Sequence, residues 1–238
     1  MSSKDKVTGI ILAGGLGTRL RDVAPDKPKS ILDINNRPFI TYLLDQMNSA
    51  GLKDVIICSG YLSEQLEEVI GNQYNNLEIH YSIEEIPLGT GGALRLALPK
   101  VETDYLLVMN GDSYIDFNMG SFINWFNERS YGSALCAIKK ENTSRYGRLT
   151  LSSKRRIISF IEKKPEEIPG YINGGIYLFQ KEILAKIPKG IKYSLEKSFL
   201  PSLLEEGLYG YLCEKEFIDI GTPESYKEAS NFINKVIG

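Results

Sequence analysis

The stretch that decides the fold is VTGIILAGGLGTRL, residues 7–20, which is followed by Lys27-Pro28-Lys29. The short apolar run Val7–Leu12 predicts a central strand of a parallel sheet. The glycine-rich turn after it brings backbone N–H groups close to a phosphate chain, and Arg19 and Lys29 supply positive charge. This combination predicts a loop that binds a polyphosphate.

Strand and helix patterns alternate through the first half of the chain, which predicts a parallel sheet with helices on both faces. Such sheets bind ligands beyond the carboxyl ends of their strands. Gly14 and Asp112 both lie at such ends, so we expect them to meet at one site. The strand patterns are DVIICSG (54–60), LEIHYS (77–82) and Tyr105–Met109, and helix patterns begin at Pro38, near Ser63 and at Ala93.

After Gly132 the pattern changes to short strands, which suggest an additional β region with antiparallel pairing. There is no internal repeat, low-complexity tract or linker. We therefore expect one domain over residues 1–238, with an α/β, Rossmann-like fold: a mixed, mainly parallel sheet flanked by helices, with a small additional β region. The short strand patterns are SALCAIK (133–139), GRLTL (147–151), IISFIEK (157–163) and YINGGIYLF (171–179).

Composition excludes several classes of protein. A net charge of −2 over 238 residues argues against a general nucleic-acid binder. The three cysteines, Cys58, Cys136 and Cys213, lie far apart in apolar runs and indicate buried thiols in a reducing compartment. The polar N-terminus, MSSKDK, is unlike a signal peptide, and no apolar run approaches the ~18 residues of a membrane span. We expect a cytoplasmic protein without a membrane partner.

Three common phosphate-binding motifs do not fit the glycine turn. A dinucleotide fingerprint needs a third glycine where Leu20 stands. A P-loop needs Gly-Lys-Ser/Thr, and a kinase loop needs a strand lysine and a catalytic Asp-Asn pair, none of which follows here. What remains is a strand, then Gly-Gly-x-Gly-Thr-Arg, then Pro-Lys.

That remaining pattern resembles the sugar-nucleotidyltransferase family, the nucleoside-diphosphate-sugar pyrophosphorylases, whose signature is L-x-G-G-x-G-T-R-L followed by P-K. The resemblance covers essentially the whole chain and implies the GT-A-like nucleotidyltransferase fold of that family. Further family-like segments recur in order: Gly89-Thr90-Gly91-Gly92-Ala93, Asn110-Gly111-Asp112, Tyr146-Gly147, Glu162-Lys163-Lys164-Pro165, Asn173-Gly174-Gly175-Ile176-Tyr177 and Asp219-Ile220-Gly221-Thr222-Pro223.

The resemblance implies that a sugar 1-phosphate oxygen attacks the α-phosphorus of a nucleoside triphosphate and that pyrophosphate leaves. Arg19 and Lys29 are then the catalytic cations. Asp112 and Asp219 are a magnesium clamp, which suits the oxygen ligands that Mg²⁺ prefers. From the residues alone, Asp219 is either buried and paired or a metal ligand. Asp116 is the alternative to Asp112 as a metal ligand, and its other interpretation is a turn or helix-cap residue before Asn118.

The remaining site residues are also implied by the resemblance. Glu84 is a candidate acceptor for guanine N–H groups, with a solvated surface charge as the alternative. The nucleotide-binding set is Leu12, Ala13, Gly14, Gly15, Gly17, Thr18, Glu84, Gly89, Thr90, Gly91 and Gly111. The sugar-phosphate set is Tyr146, Gly147, Glu162, Lys163 and Asn173.

Within the family, the segments YSIEEIPLGTGGAL, NGDSYID and FIDIGTPESY are similar to those of bacterial D-glycero-α-D-manno-heptose 1-phosphate guanylyltransferases. The implied substrates are GTP and that heptose phosphate, with mannose 1-phosphate or glucose 1-phosphate as alternatives. Two other classes stay open: a catalytically silent regulatory relative, and a glycosyltransferase that uses a finished nucleotide sugar. The oligomeric state is also open, with a homo-oligomer as one option.

Overall fold

The structure is a computed structural model that describes residues 7–15, 20, 27–60, 62–161 and 166–237. Its strands, in chain order, are β1 (Val7–Leu12), β2 (Asp33–Ile34), β3 (Arg37–Pro38), β4 (Asp54–Ser59), β5 (Gln73–Tyr74), β6 (Leu77–Ile83), β7 (Tyr105–Asn110), β8 (Ser113–Ile115), β9 (Ser133–Lys140), β10 (Arg148–Leu151), β11 (Ile157–Ile161), β12 (Gly170–Gln180), β13 (Tyr209–Cys213) and β14 (Phe217–Asp219). Its helices are α1 (Phe39–Ser49), α2 (Ser63–Ile70), α3 (Gly89–Ala97), α4 (Met119–Glu128), α5 (Lys181–Leu184), α6 (Leu200–Ser202) and α7 (Pro223–Ile237).

The central sheet places the glycine turn at its carboxyl edge. β1 lies between β4 and β7 and is parallel to both, and β6 continues the parallel run beyond β4. The last residue of β1, Leu12, is in register with Cys58 on one side and with Asn110 on the other. The predicted parallel core is therefore confirmed, and the turn after β1 lies beside the end of β7.

The second half of the chain extends this same sheet. β12 pairs antiparallel with β7, and β9, β10 and β11 follow with antiparallel pairing, while β13 adds a parallel strand outside β9. The predicted antiparallel strands thus exist, and they join the central sheet. In β12 the register shifts between Asn173 and Tyr177, where Gly175 adopts a left-handed φ of +73°.

Helices cover both faces of the sheet, as the alternating pattern predicts. On one face, Ile11 and Ile57 pack with side chains of α1, α4 and α7, among them the buried Phe39, Phe122 and Ile233. On the other face lie Ile10, Ile56 and Val108, packed against α3 and the segment 195–203. None of the described helices is long and apolar enough to span a membrane.

The helix expected from Ala93 begins four residues earlier, at Gly89. Glycine lowers the stability of a helix, so a helix that begins in a glycine-rich run needs hydrogen bonds from another segment. The Tyr193 carbonyl provides one, because it accepts hydrogen bonds from the N–H groups of Gly91 (3.0 Å) and Gly92 (3.1 Å). The glycines also permit the close approach, since a Cβ on Gly91 would lie 3.1 Å from the same carbonyl oxygen.

A small two-stranded sheet lies beyond the end of β7. β8 pairs antiparallel with β14, and Asp219 is in register with Ser113. The Ile220 N–H also donates to the Asp112 carbonyl at 2.8 Å. This pairing brings Asp219 next to Asp112, although about a hundred residues separate them in the sequence.

Candidate functional site

One cavity of about 750 Å³ lies at the carboxyl edge of the parallel strands. It gathers most of the predicted site residues from distant parts of the chain. Those that line it are Leu12, Ala13, Gly14, Gly15, Lys29, Glu84, Gly89, Thr90, Gly111, Asp112, Tyr146, Gly147, Asn173 and Asp219. Five predicted residues, Gly17, Thr18, Arg19, Glu162 and Lys163, lie outside the described residues.

The described part of the glycine turn is held between its two neighbouring strands. The Ala13 N–H donates to the Cys58 carbonyl at 2.8 Å, and the Gly111 N–H donates to the Leu12 carbonyl at 2.9 Å. Gly111 has no room for a side chain, because a Cβ there would lie 2.7 Å from the Leu12 carbonyl oxygen. The glycine before Asp112 therefore allows β7 and the turn to approach each other.

Lys29 and Asp112 form an ion pair at the cavity. Lys29 begins a single 3₁₀ turn, Lys29–Ile31, and its ammonium donates to Asp112 Oδ2. The Ser113 hydroxyl donates to Asp112 Oδ1 at 3.1 Å. Burial alone would raise the pKa of Asp112, but the Lys29 charge and these hydrogen bonds outweigh it and lower that pKa. The Asp112 side chain is 35% exposed although it lies deep in the molecule, because it faces the open cavity.

Asp219 is the second carboxylate of the cavity. Its Oδ2 accepts a hydrogen bond from the Tyr146 hydroxyl at 3.0 Å, and its Oδ1 accepts one from the Gly221 N–H at 3.1 Å. A Cβ on Gly221 would lie 2.8 Å from Asp219 Oδ1 and 3.5 Å from Lys29 Nζ. Both carboxylates therefore share one neighbourhood with the Lys29 ammonium.

Glu84 lies beside the glycine turn. Its Oε2 accepts a hydrogen bond from the Leu88 N–H at 2.9 Å. A Cβ on Gly14 would lie 3.0 Å from Glu84 Oε1, and one on Gly60 would lie 2.8 Å from Glu84 Cγ. Burial raises the pKa of Glu84, and the Leu88 hydrogen bond acts in the opposite direction. The side chain is thus packed between two glycines and is not a freely solvated charge.

The start of α3 is fixed by the segment that follows Gly190. The Thr90 hydroxyl donates to Glu196 Oε2 at 2.8 Å and accepts a hydrogen bond from the Leu195 N–H at 2.9 Å. Gly91 does not line the cavity, because its N–H is directed at the Tyr193 carbonyl. Among the described residues of the predicted nucleotide-binding set, Gly91 is the one that the structure does not bring to the site.

Asn173 lies in the wall at the irregular part of β12. Its Nδ2 donates to the hydroxyl of Tyr177 at 2.9 Å, and its Oδ1 accepts a hydrogen bond from the Gly175 N–H at 3.0 Å. Tyr177 is fully buried. Gly147, on the same side, lies against Phe160, whose ring would be 3.1 Å from a Cβ at that position. Contacts within the protein therefore hold these residues of the wall.

Comparison with known proteins agrees with this architecture. The family model described as nucleotidyl transferase matches residues 8–236. The chain belongs to this family. It is 35% identical over 229 residues to the D-glycero-α-D-manno-heptose 1-phosphate guanylyltransferase of Aneurinibacillus thermoaerophilus, with 96% of this chain and 99% of that protein aligned.

Two other relatives of this nucleotidyl transferase agree with that result. The protein of the same name from Campylobacter jejuni is 36% identical over 219 residues, covering 91% of this chain and 96% of that one. A crystal structure of HddC from Yersinia pseudotuberculosis complexed with GMP-PN superposes with a TM-score of 0.82 at 32% identity, covering 95% of this chain and 99% of that chain.

Members of the family generally use a divalent metal ion, and the cavity of this nucleotidyl transferase fits one. Asp112 and Asp219 supply only oxygen donors, and Lys29 holds the pKa of Asp112 low, so that carboxyl is ionised at neutral pH. In the described part of the chain, Asp54, Glu78 and His80 form another group of possible ligands, with donor atoms within 4.8 Å of one another. It lies towards the amino ends of β4 and β6, away from the cavity, and is largely exposed.

Sequence reasoning missed several polar residues of the cavity wall. For some of them a signal exists, since Arg145 and Ser113 lie next to family-like motifs, and Asn110 and Thr222 lie within them. The segment 192–197 carries no motif, and tertiary contacts with the start of α3 bring it to the site. The missed polar lining residues are Ser30, Asn110, Ser113, Arg145, Lys192, Ser194, Glu196, Lys197 and Thr222.

Proposed function

We propose that this protein transfers the GMP unit of GTP to D-glycero-α-D-manno-heptose 1-phosphate, giving the GDP-sugar and pyrophosphate. The observation that carries the proposal is the meeting of Lys29, Asp112 and Asp219 at the glycine turn after β1. The choice of GTP and of the heptose is supported by two relatives that are named for that activity. Both align over nearly the full length of the chain. We further propose that the reaction takes place in the cytoplasm.

The transfer is a substitution at phosphorus. An oxygen of the sugar 1-phosphate forms a bond to the α-phosphorus of GTP, and the bond from that phosphorus to the β-phosphate oxygen breaks. The nucleophile is already an anion near neutral pH, so no side chain has to remove a proton from it. The barrier lies in bringing anions together and in stabilising the charge that moves to pyrophosphate, which positioning and cations accomplish.

The chain supplies the cations and donors for this task. Lys29 lies at the cavity with 19% of its side chain exposed, and we assign it, with Arg19, to the leaving pyrophosphate. The backbone N–H groups of Gly14, Gly15 and Gly17 are assigned to the triphosphate. Lys163 is assigned to the sugar phosphate. Asp112 and Asp219 would hold Mg²⁺, which when bound neutralises charge on phosphate oxygens.

The two substrates are assigned to different sets of cavity residues. The guanosine side comprises Glu84, Gly89, Thr90 and Gly111 with the residues Leu12, Ala13 and Thr18 of the glycine turn. The sugar side comprises Tyr146, Gly147, Glu162 and Asn173. The hydroxyl and amide groups of this wall are suited to orient a polyhydroxylated sugar.

The test is a pyrophosphate-release screen of GTP, UTP, dTTP, CTP and ATP against sugar 1-phosphates. The panel contains the manno-heptose, mannose and glucose compounds. We expect the highest kcat/KM for GTP with the heptose phosphate. Strict preference for UTP or dTTP would refute the nucleotide assignment, and preference for mannose 1-phosphate would refute the sugar assignment. Absence of pyrophosphate release with every pair would indicate a catalytically silent relative.

The metal carboxylates are tested separately with Asp112→Asn, Asp219→Asn and the double variant. Each amide keeps the size of the side chain but removes the charge, so we expect folded proteins that have lost most of their activity. Full turnover by the double variant would contradict the assignment of these residues to Mg²⁺.

A further inference from the structure

The hydroxyl of Tyr146 points at a carboxylate of the cavity. It donates to Asp219 Oδ2 at 3.0 Å, while the Gly221 N–H donates to Asp219 Oδ1 at 3.1 Å. Among the described residues, each carboxylate oxygen therefore accepts one hydrogen bond, and the two bonds together fix the rotation of the carboxylate plane. A carboxylate oxygen has two lone pairs, so each oxygen keeps capacity for a further partner.

Tyr146 is itself held in place on three sides. Its ring packs edge-on against Phe217, with centroids 5.6 Å apart and an interplanar angle of 75°. Its N–H donates to the Thr143 carbonyl at 3.0 Å. The ring, the backbone and the hydroxyl of Tyr146 therefore each have a partner within the protein.

We infer that Tyr146 is a positioning residue for the metal site: its hydroxyl orients the Asp219 carboxylate for the metal ion, and this orientation sets how tightly the ion is held. The inference rests on the proposed metal-dependent transfer and deepens it. Groups that hydrogen-bond to metal-ligating carboxylates commonly set metal affinity, and their removal typically lowers that affinity by about 10–100-fold.

The position of Tyr146 in the fold gives this contact a second consequence. Tyr146 lies on the connection from β9 to β10, next to Arg145 and Gly147, which line the cavity. Asp219 comes from β14, at the other end of the hydrogen bond. The Tyr146 hydroxyl therefore links the sugar-side wall directly to a metal carboxylate, and an altered connection would change metal binding as well as sugar binding.

Tyr146→Phe tests the inference, because it keeps the ring packed on Phe217 and removes only the hydroxyl. The probe is Mn²⁺ alone, titrated into the protein while electron paramagnetic resonance measures the free ion. We expect the Kd for Mn²⁺ to rise about tenfold. The Mg²⁺ concentration for half-maximal pyrophosphate release should rise in parallel.

Tyr81→Phe is the matched control, since the Tyr81 hydroxyl donates to the Gly71 carbonyl at 2.6 Å and does not line the cavity. It should leave Mn²⁺ affinity unchanged. An unchanged Kd for Mn²⁺ in Tyr146→Phe would overturn the inference, as would failure of the unmodified protein to bind Mn²⁺. Failure of the proposed function shows separately, as absent pyrophosphate release, since the Mn²⁺ titration needs no turnover.

Discussion

The contact with Asp112 is what distinguishes Lys29 from an ordinary loop lysine. An isolated lysine after a proline is an ordinary loop residue, but here its ammonium reaches Asp112 at the cavity and lies near Asp219. Lys27, two residues earlier, is 56% exposed in its side chain and lies 3.8 Å from Asp33 outside the cavity. Two lysines of one short segment thus have different surroundings, which makes them a matched pair for experiment.

Lys29→Met should lower kcat/KM for pyrophosphate release by about 10²–10³-fold, the usual loss when a group that stabilises transition-state charge is removed. Lys27→Met should leave it within about twofold, because an exposed ion pair contributes little. Circular dichroism melts would verify that both variants fold. An equal loss of activity in both would show that general positive charge, and not contact with the site, is what matters.

Glu84 gives a prediction about pH. Its pKa is raised above the ordinary 4.5, so the folded state binds this proton more tightly than the unfolded chain does. The group therefore favours folding below about pH 4.5 and loses that contribution as the pH rises through the raised folded pKa. Glu84→Gln should consequently gain stability relative to the unmodified protein between pH 4 and pH 7.

Urea denaturation of the ligand-free protein at both pH values measures that difference. Glu85→Gln is the control, because Glu85 is the exposed neighbour of Glu84. It should show no comparable change between the two pH values. A relative stability of Glu84→Gln that stays constant with pH would contradict a raised pKa.

At the scale of elements, glycines decide how closely strands and helices approach at the site. Gly111 allows the end of β7 to meet the backbone after β1, and the glycines of α3 allow Tyr193 to cap that helix. The sequence marks these positions as glycine-rich. It does not show which backbone segment lies opposite each glycine. For that reason the sequence pattern places the start of α3 at Ala93, four residues after its observed start at Gly89.

Gly111→Ala should destabilise the fold by about 1–3 kcal/mol, because a Cβ would lie 2.7 Å from the Leu12 carbonyl oxygen. The clash is with backbone, so a strand end would have to shift to relieve it. For a chain of this size, each kcal/mol corresponds to a decrease in Tm of roughly 2–4 °C. Gly15→Ala is the control for stability, since no atom of the described residues beyond its chain neighbours lies within 4 Å of its Cβ position. Equal melting temperatures of the two variants would contradict the close approach.

At the scale of the whole molecule, the antiparallel strands continue the parallel core through the β7–β12 pairing. Hydrophobic packing also connects the two parts of the sheet, because Ile11 of β1, Cys136 of β9 and side chains of α7 belong to one buried cluster. The prediction of one domain over residues 1–238 therefore leads to an expectation about cooperative unfolding.

Unfolding should be a single transition when two signals are compared. Trp125, the one tryptophan of the chain, packs against Tyr211 of β13, so its fluorescence reports on the extended half of the sheet. Far-UV circular dichroism reports on all elements. Coincident transitions are expected. Loss of the Trp125 signal at lower urea than the loss of helix would show that the extension unfolds as a unit of its own.

The sequence by itself determined the alternating strands and helices, the turn after β1 and the family, because these depend on local periodicity and on motifs of fixed spacing. It also identified Asp112 and Asp219 as candidates. The tertiary structure decided their relation, since pairing of β8 with β14 brings them together. It also directed the Tyr146 hydroxyl to Asp219, placed Glu84 between Gly14 and Gly60, and brought segment 192–197 to the cavity. Such contacts join residues far apart in the chain, and no local pattern encodes them.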